Sequence, residues 1–208
     1  MLKKTIQILT LMLISTGVFA ADANINTLRD FVKNFTAFSA NFVQTQPDES
    51  IFSANESKGY MGIERPGKLY WVYQTPESQE IVTDGVDLWV YESELDQATV
   101  RPLASVENDF PMRWLLYNEP VENNFDVITG QEYGGISWFN LIPKDHTFFQ
   151  SLDVAIKGNE LVQIWMYQGQ DNVTKVIFHN AQADTDIVDS KFNFVPKKGI
   201  DVIGTPLN

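Results

Sequence analysis

The chain has 208 residues, a formal net charge of -12 and no cysteine. That charge argues against general electrostatic binding to nucleic-acid phosphates or anionic lipid headgroups. The missing cysteines exclude thiolate chemistry, disulfides and cysteine-ligated metal sites, and the length suits one domain with a sizeable core.

Residues 1–20 read as a signal peptide. Lys3 and Lys4 form a short positive region, residues 6–14 an apolar run broken only by Gln7 and Thr10, and Val18, Phe19 and Ala20 a cleavage region. Cleavage is expected after Ala20, with Ala21 as the neighbouring option. The run falls well short of the roughly 20 apolar residues of a bilayer-spanning helix, which disfavours a retained anchor. Removing these 20 residues leaves 188 in one expected domain, residues 21–208, and the loss of Lys3 and Lys4 takes the charge from -12 to -14. A lipid anchor needs a cysteine at the cleavage point, and none is present. The expected product is a free protein of a bacterial envelope.

The mature chain opens with a helical pattern. Leu28, Phe31, Val32 and Phe35 recur at spacings of three and four, which puts them on one face. Asn26 or Thr27 is the expected cap, with Asp30 in the first turn. From Ser39 the period changes to two, which predicts a strand ending before Pro47. After a polar loop, strands are expected at 58–64, 68–73, 80–83, 86–91 and 98–101. Gly59 and Gly62 permit bends in a curved sheet, and Asp84-Gly85 carries a two-residue hairpin signal. Residues 105–117 crowd Phe110, Met112, Trp114, Leu115 and Leu116 around Pro111. A proline suits the start of a short helix better than a strand, so this stretch is expected to be a helical insertion. Further strands are predicted at 125–129, 136–142, 152–157, 161–167, 172–179 and 192–194. No alternation of strand and helix supports a parallel sheet. The reading is a mainly β protein of about ten or eleven antiparallel strands, with an N-terminal helix and a mid-chain helical insertion.

The chain holds 14 Phe, 7 Tyr and 5 Trp. The run Tyr70, Trp71, Val72, Tyr73 offers large side chains to both faces of its strand. A strongly curved sheet of this size has either a filled core or an interior wider than its side chains occupy, and sequence pattern leaves both open. In the second case the two helical segments act as a lid over an apolar pocket. Full burial of three chains of roughly 16 carbons would nominally yield on the order of 35 kcal/mol, beyond the roughly 18–21 kcal/mol at which non-covalent binding saturates. A carrier that releases such cargo must therefore enclose it incompletely or open at a cost. His146 and His179 are the only histidines and lie far apart. No nucleophile elbow or phosphate-binding loop appears, so neither an enzyme nor a metal or cofactor site is expected.

Residues 62–91, with Arg65-Pro66, Trp71, Gln74-Thr75-Pro76, Asp84-Gly85 and Leu88-Trp89-Val90-Tyr91, resemble the LolA family of outer-membrane lipoprotein carriers. So do residues 40–46 (ANFVQTQ), Gln97-Ala98-Thr99 and residues 191–199 (KFNFVPKKG). The likeness runs in order along nearly the whole mature chain. It implies an unclosed antiparallel β-barrel with a helical lid over an apolar cavity. It also implies a monomeric periplasmic chaperone that takes acylated lipoproteins from the inner-membrane LolCDE complex and passes them to the acceptor LolB. By the same resemblance Arg65 is a lid latch, bonding to helix backbone when the lid is closed. Leu28, Val32 and Phe35 match the inward face of the first helix, Leu69 and Trp71 the cavity-lining strand, and Phe110, Met112, Leu115 and Leu116 the rest of the lid. Two other readings remain beside it. One is an envelope stress sensor or other ligand-binding domain on a related half-barrel, and the other a sugar-binding β domain with exposed aromatic platforms.

Overall fold

The computed structural model describes residues 21–47, 54–169 and 171–208. The expected signal peptide and residues 48–53 of the expected polar loop lie outside the described residues, while residues 54–57 of that loop are strand. A two-residue strand β1 (Ala21–Asp22) precedes helix α1 (Ile25–Asn34). Leu28, Phe31 and Val32 are buried on one face of α1, as their spacing dictates. The cap is Asn24 rather than Asn26 or Thr27: its side chain accepts the Asn26 N–H at 3.0 Å. Ile25 packs against the core one turn before Leu28, so the helix begins earlier than the strongest apolar positions indicate. Asp30 consequently lies beyond the first turn.

Six strands follow: β2 (Ala37–Pro47), β3 (Ala54–Glu64), β4 (Lys68–Thr75), β5 (Gln79–Asp84), β6 (Asp87–Glu92) and β7 (Gln97–Pro102). The β5–β6 turn is Gly85-Val86, one residue later than Asp84-Gly85. Asp84 stays in the strand and its Oδ1 accepts the N–H groups of Val86 and Asp87 at 2.9 and 3.0 Å, as short carboxylates do in turns. The helical insertion comes in three pieces: 3-10 turns at Leu103–Ser105 and Glu107–Asp109, then helix α2 (Arg113–Leu116). The helix starts after Pro111 rather than at it, with Met112 as its cap residue.

The second half supplies β8 (Phe125–Tyr133), β9 (Ile136–Pro143), β10 (Ser151–Lys157), β11 (Glu160–Tyr167), β12 (Val173–Ala183) and β13 (Asp201–Ile203). All strands among the described residues join one sheet in the order β1-β8-β9-β10-β11-β12-β2-β3-β4-β5-β6-β7-β13. Every neighbouring pair is antiparallel except β7 and β13, which run parallel. The sheet therefore has thirteen strands, two more than the upper expectation of eleven, because short edge strands were added at each end. Register shifts at Lys58/Gly59, Thr129/Glu132, Ala155/Ile156 and His179/Gln182 are the irregularities by which a sheet bends. The result is a curved, unclosed antiparallel sheet.

Residues 192–194 do not form the strand expected there. Asp189–Phe192 is a 3-10 turn, and its aromatics plug the convex face instead of joining a ladder. Phe192 packs on Tyr70 at 5.6 Å, and Phe194 on Trp89 and Tyr91 at 5.3 and 5.5 Å. Lys68 holds this segment in place by bonding Asp189 at 2.7 Å and Glu64 at 2.9 Å. Gly62 is bare where the Tyr70 ring lies over it, 2.6 Å from where a Cβ would stand. The run at residues 70–73 thus serves both faces: Tyr70 goes to the convex cluster, while Trp71 and Tyr73 face the concave core.

Candidate functional site

The concave face divides into two zones. Nearest the β3–β4 turn, α1 and α2 lie against the sheet and fill it. Leu28, Leu69, Leu115 and Leu116 are each fully buried, and Val32 is nearly so. Phe31 bridges α1 and α2 by packing on Phe35 at 5.8 Å and on Trp114 at 6.1 Å. Trp114 is buried at the centre of this zone. The sequence reading did not count it in the lid group, but it is the plug between the two helices.

Arg65, the first residue of the β3–β4 turn, ties these helices down. Its Nη1 donates to the backbone carbonyls of Val32 and Phe35 at 2.7 and 3.0 Å, and its Nε to that of Leu115 at 2.8 Å. These carbonyls lie at helix C-termini, where no intrahelical N–H reaches them and positive charge is favoured. The turn backbone adds two bonds, Arg65 N–H to Thr36 O and Gly67 N–H to Leu116 O, both at 2.9 Å. The guanidinium also sits 5.0 Å above the Phe35 ring. Burial pulls its pKa down to about 10, with Glu119 pulling it back up, so it stays charged at neutral pH. Two helices from distant parts of the sequence are thereby fastened to one side chain.

Beyond this packed zone the interior is hollow. A cavity of about 320 Å³ lies at the small end of the roughly 300–1,000 Å³ typical of ligand sites. Trp71, Tyr73 and Ile81 form one wall, Ile164, Met166, Thr174 and Val176 the other. Phe110, Pro111, Met112 and the half-exposed Phe148 stand at the opening. Of the residues singled out in the sequence, Trp71, Phe110 and Met112 line this cavity. Leu28, Val32, Leu69, Leu115 and Leu116 belong to the packed zone, and Phe35 lies beneath Arg65. The β11 and β12 residues were missed. Their alternation marks an inward face, as at Ile164 and Met166, but an inward face does not announce whether anything fills the space before it.

The cavity wall also carries polar groups. Tyr73 OH donates to Gln44 Oε1 at 3.0 Å. The register explains how: Phe42 opposes Gly59, and Gly59 opposes Tyr73, so β3 presents no side chain between β2 and β4. Burial raises the Tyr73 phenol above its ordinary pKa, against the opposing pull of the Trp71 N–H and the Gln44 side chain. The Trp71 indole nitrogen and the Thr174 hydroxyl are buried without a sound hydrogen bond among the described residues. Both histidines are exposed, and among the described residues no group of three or more His, Asp or Glu side chains is placed to hold a metal. No described helix is long and apolar enough to cross a membrane.

An unclosed antiparallel sheet, with two helices fastened across part of its concave side and an apolar hollow beside them, defines a helix-covered half-barrel. The chain matches the model of the family described as "Outer membrane lipoprotein carrier protein LolA" over residues 33–195. It is 33% identical over 181 residues to the outer-membrane lipoprotein carrier protein of Methylobacillus flagellatus, covering 86% of this chain and 88% of that one. It is 30% identical over 206 residues to the protein of the same name from Chromobacterium violaceum, covering 97% and 98% of the two chains. A solved structure, an uncharacterized conserved protein from Thermus thermophilus, shares the fold at 11% identity with a TM-score of 0.53, over 86% of this chain and 98% of that one. The chain belongs to the LolA family of outer-membrane lipoprotein carrier proteins.

Proposed function

We propose that this protein is a monomeric, non-enzymatic periplasmic chaperone that accepts acylated lipoproteins from the inner-membrane LolCDE complex. It shields their acyl chains and delivers them to the outer-membrane acceptor LolB. The observation that carries this reading is the pairing of the hollow with the single guanidinium that fastens both helices beside it. The closed cavity is too small for the several long acyl chains of a lipoprotein, so loading requires α1 and α2 to leave the sheet. Fully buried leucines resist that movement by about 1.5–3 kcal/mol each. A charged group bonded to three carbonyls makes it a concerted event rather than a gradual loosening. Closure after release restores the helix–sheet core, which offsets the loss of the cargo contacts and keeps transfer reversible.

Under this reading Arg65 is the latch, and a signal peptide cleaved after Ala20 or Ala21 without a lipidated cysteine leaves the carrier free to diffuse. The sugar-binding alternative draws no support from the outer aromatics. Trp138 and Trp165 meet nearly edge to face, 65° between planes, and Lys175 lies 4.2 Å over the Trp165 ring, which leaves no flat platform. Purified protein is expected to release newly made lipoproteins from spheroplasts and pass them to LolB. Folded protein that releases none would overturn the carrier reading. Arg65→Leu removes three charge-assisted hydrogen bonds, each worth about 1.5–3 kcal/mol before the desolvation of the charge is subtracted. The variant is expected to load cargo as well as or better than wild type and to transfer it to LolB poorly. Unchanged transfer would remove Arg65 from the mechanism.

A further inference from the structure

Residues 107–117 contain too little helix to hold a shape of their own. Helix α2 is a single turn of four residues, and isolated helices shorter than roughly 12–15 residues are marginal in water. A side-chain clasp supplies what the backbone lacks. The Tyr117 hydroxyl donates to Glu107 Oε2 at 3.1 Å, and Glu107 Oε1 lies 3.7 Å from the Arg113 guanidinium. Arg113 in turn donates to the Asn108 side chain. Glu107 opens the second 3-10 turn and Tyr117 follows the last residue of α2, so the clasp closes the segment head to tail. The Arg113 and Glu107 side chains are only 18% and 24% exposed, which leaves this cluster less screened than an open surface pair. Burial first, and then the Glu107 charge, hold the Tyr117 phenol above its ordinary pKa, so it is a donor at neutral pH.

The clasped segment reaches both zones of the concave face. Phe110, Pro111 and Met112 stand at the opening of the hollow, while Trp114, Leu115 and Leu116 are sealed in the packed zone. Arg65 holds the second group through the Leu115 carbonyl, and Gly67 in the same turn holds the Leu116 carbonyl. The acceptors of the Arg65 side chain are Val32, Phe35 and Leu115, so the rim of the hollow is out of its direct reach. Resting on the carrier reading above, in which α1 and α2 leave the sheet, we propose that Glu107 is a positioning residue that couples the Arg65 latch to the opening of the hollow. With the clasp shut, residues 107–117 move as one body, and freeing the Leu115 carbonyl carries Phe110 and Met112 away from the rim. With the clasp broken, the single helical turn uncoils between Met112 and Leu115, and the rim moves independently of the latch. One guanidinium thereby governs access to the hollow as well as the packed zone, although it touches only the second.

Because the chain has no cysteine, a single introduced thiol reports on one place at a time. Met112→Cys stands at the opening, where the native side chain is 4% exposed, and Val32→Cys on α1, 3% exposed and outside the clasp. Maleimide labelling of the whole mature protein is followed under native conditions, with and without Arg65→Leu. A third thiol, Val154→Cys in the sheet, gives the rate of whole-chain unfolding, which is subtracted. Arg65→Leu is expected to speed labelling at both Met112→Cys and Val32→Cys by about tenfold or more. Adding Tyr117→Phe, or separately Glu107→Ala, is expected to cut that acceleration by about fivefold or more at Met112→Cys and to leave it in place at Val32→Cys. A clasp that merely stabilised its own segment would raise the resting rate at Met112→Cys without changing the effect of Arg65→Leu, and that result overturns the coupling. Loss of the acceleration at both thiols overturns it too, since Glu107 would then belong to the latch itself. So does an Arg65→Leu variant that speeds labelling at neither. None of these readouts uses cargo, so the carrier reading stands or falls separately, on release of lipoproteins from spheroplasts.

Discussion

The packed zone beneath Arg65 and the hollow beyond it share one sheet face, and they are stabilised in opposite ways. In the packed zone the stability comes from inside. Leu28, Leu69, Trp114, Leu115 and Leu116 fill the space between helices and strands. At the hollow the wall is braced from outside. On the convex side of β9, β10 and β11, Asp153 accepts from Asn140 at 2.7 Å and from Tyr167 at 2.8 Å. Trp138 and Trp165 pack at 5.1 Å over the same strands, with Lys175 above. A wall that must keep its shape without contents needs bonds on the side where they do not occupy the cavity. The contrast teaches that the hollow is a supported feature of the fold and not a packing fault.

Truncations break or keep that contrast most directly. Leu116→Ala, in the packed zone, is expected to cost about 2–5 kcal/mol of unfolding free energy in urea titration. Met166→Ala, whose side chain already borders open space, is expected to cost about 1 kcal/mol, since it loses fewer neighbours. Equal losses would mean that the two zones are packed alike.

A backbone test comes next in size. A Cβ at Gly59 would stand 1.8 Å from the Val72 carbonyl oxygen and 2.9 Å from the Phe42 ring, so Gly59→Ala must displace β4. The expected cost is about 1–3 kcal/mol, together with loss of the Tyr73–Gln44 bond, visible as a changed Tyr73 titration. A variant as stable as wild type would show that the bend at Lys58/Gly59 tolerates a side chain.

The smallest effect probes the outer brace. Burial first, and then Asp153, push the Tyr167 phenol up to about 12. A folded pKa above the unfolded value near 10 means that the neutral, bonded phenol stabilises the native state below pH 10. That contribution is lost as pH rises from about 10 to about 12. Tyr167→Phe is expected to flatten this part of the pH–stability profile. An unchanged profile would show that the brace contributes nothing.

Much of this arrangement is legible in local patterns. The period of two along residues 39–46, 68–73 and 161–167 states which residues face inward, and the spacing of Leu28, Phe31 and Val32 states which side of α1 does. These are properties of chain geometry within a few residues. Arg65 stood out beside Pro66 through its resemblance to a known pattern, but its three carbonyl partners come from residues 30, 33 and 50 positions away, which no local rule pairs. The expected strand at 192–194 failed for a related reason. Alternating aromatics look the same whether they join a ladder or cover one, and Phe192 and Phe194 cover one.

By itself, then, the amino-acid sequence determined most of the strands, their inward sides and the amphipathic helix, because each follows from backbone periodicity and side-chain polarity. Only the tertiary structure decided that Leu69 is sealed in a core while Trp71, two residues along the same face, borders a cavity. Filling depends on the summed volumes of side chains from many strands and two helices. That sum is taken in space, where residues 28, 69 and 116 come together from distant parts of the sequence, and is not written along the chain.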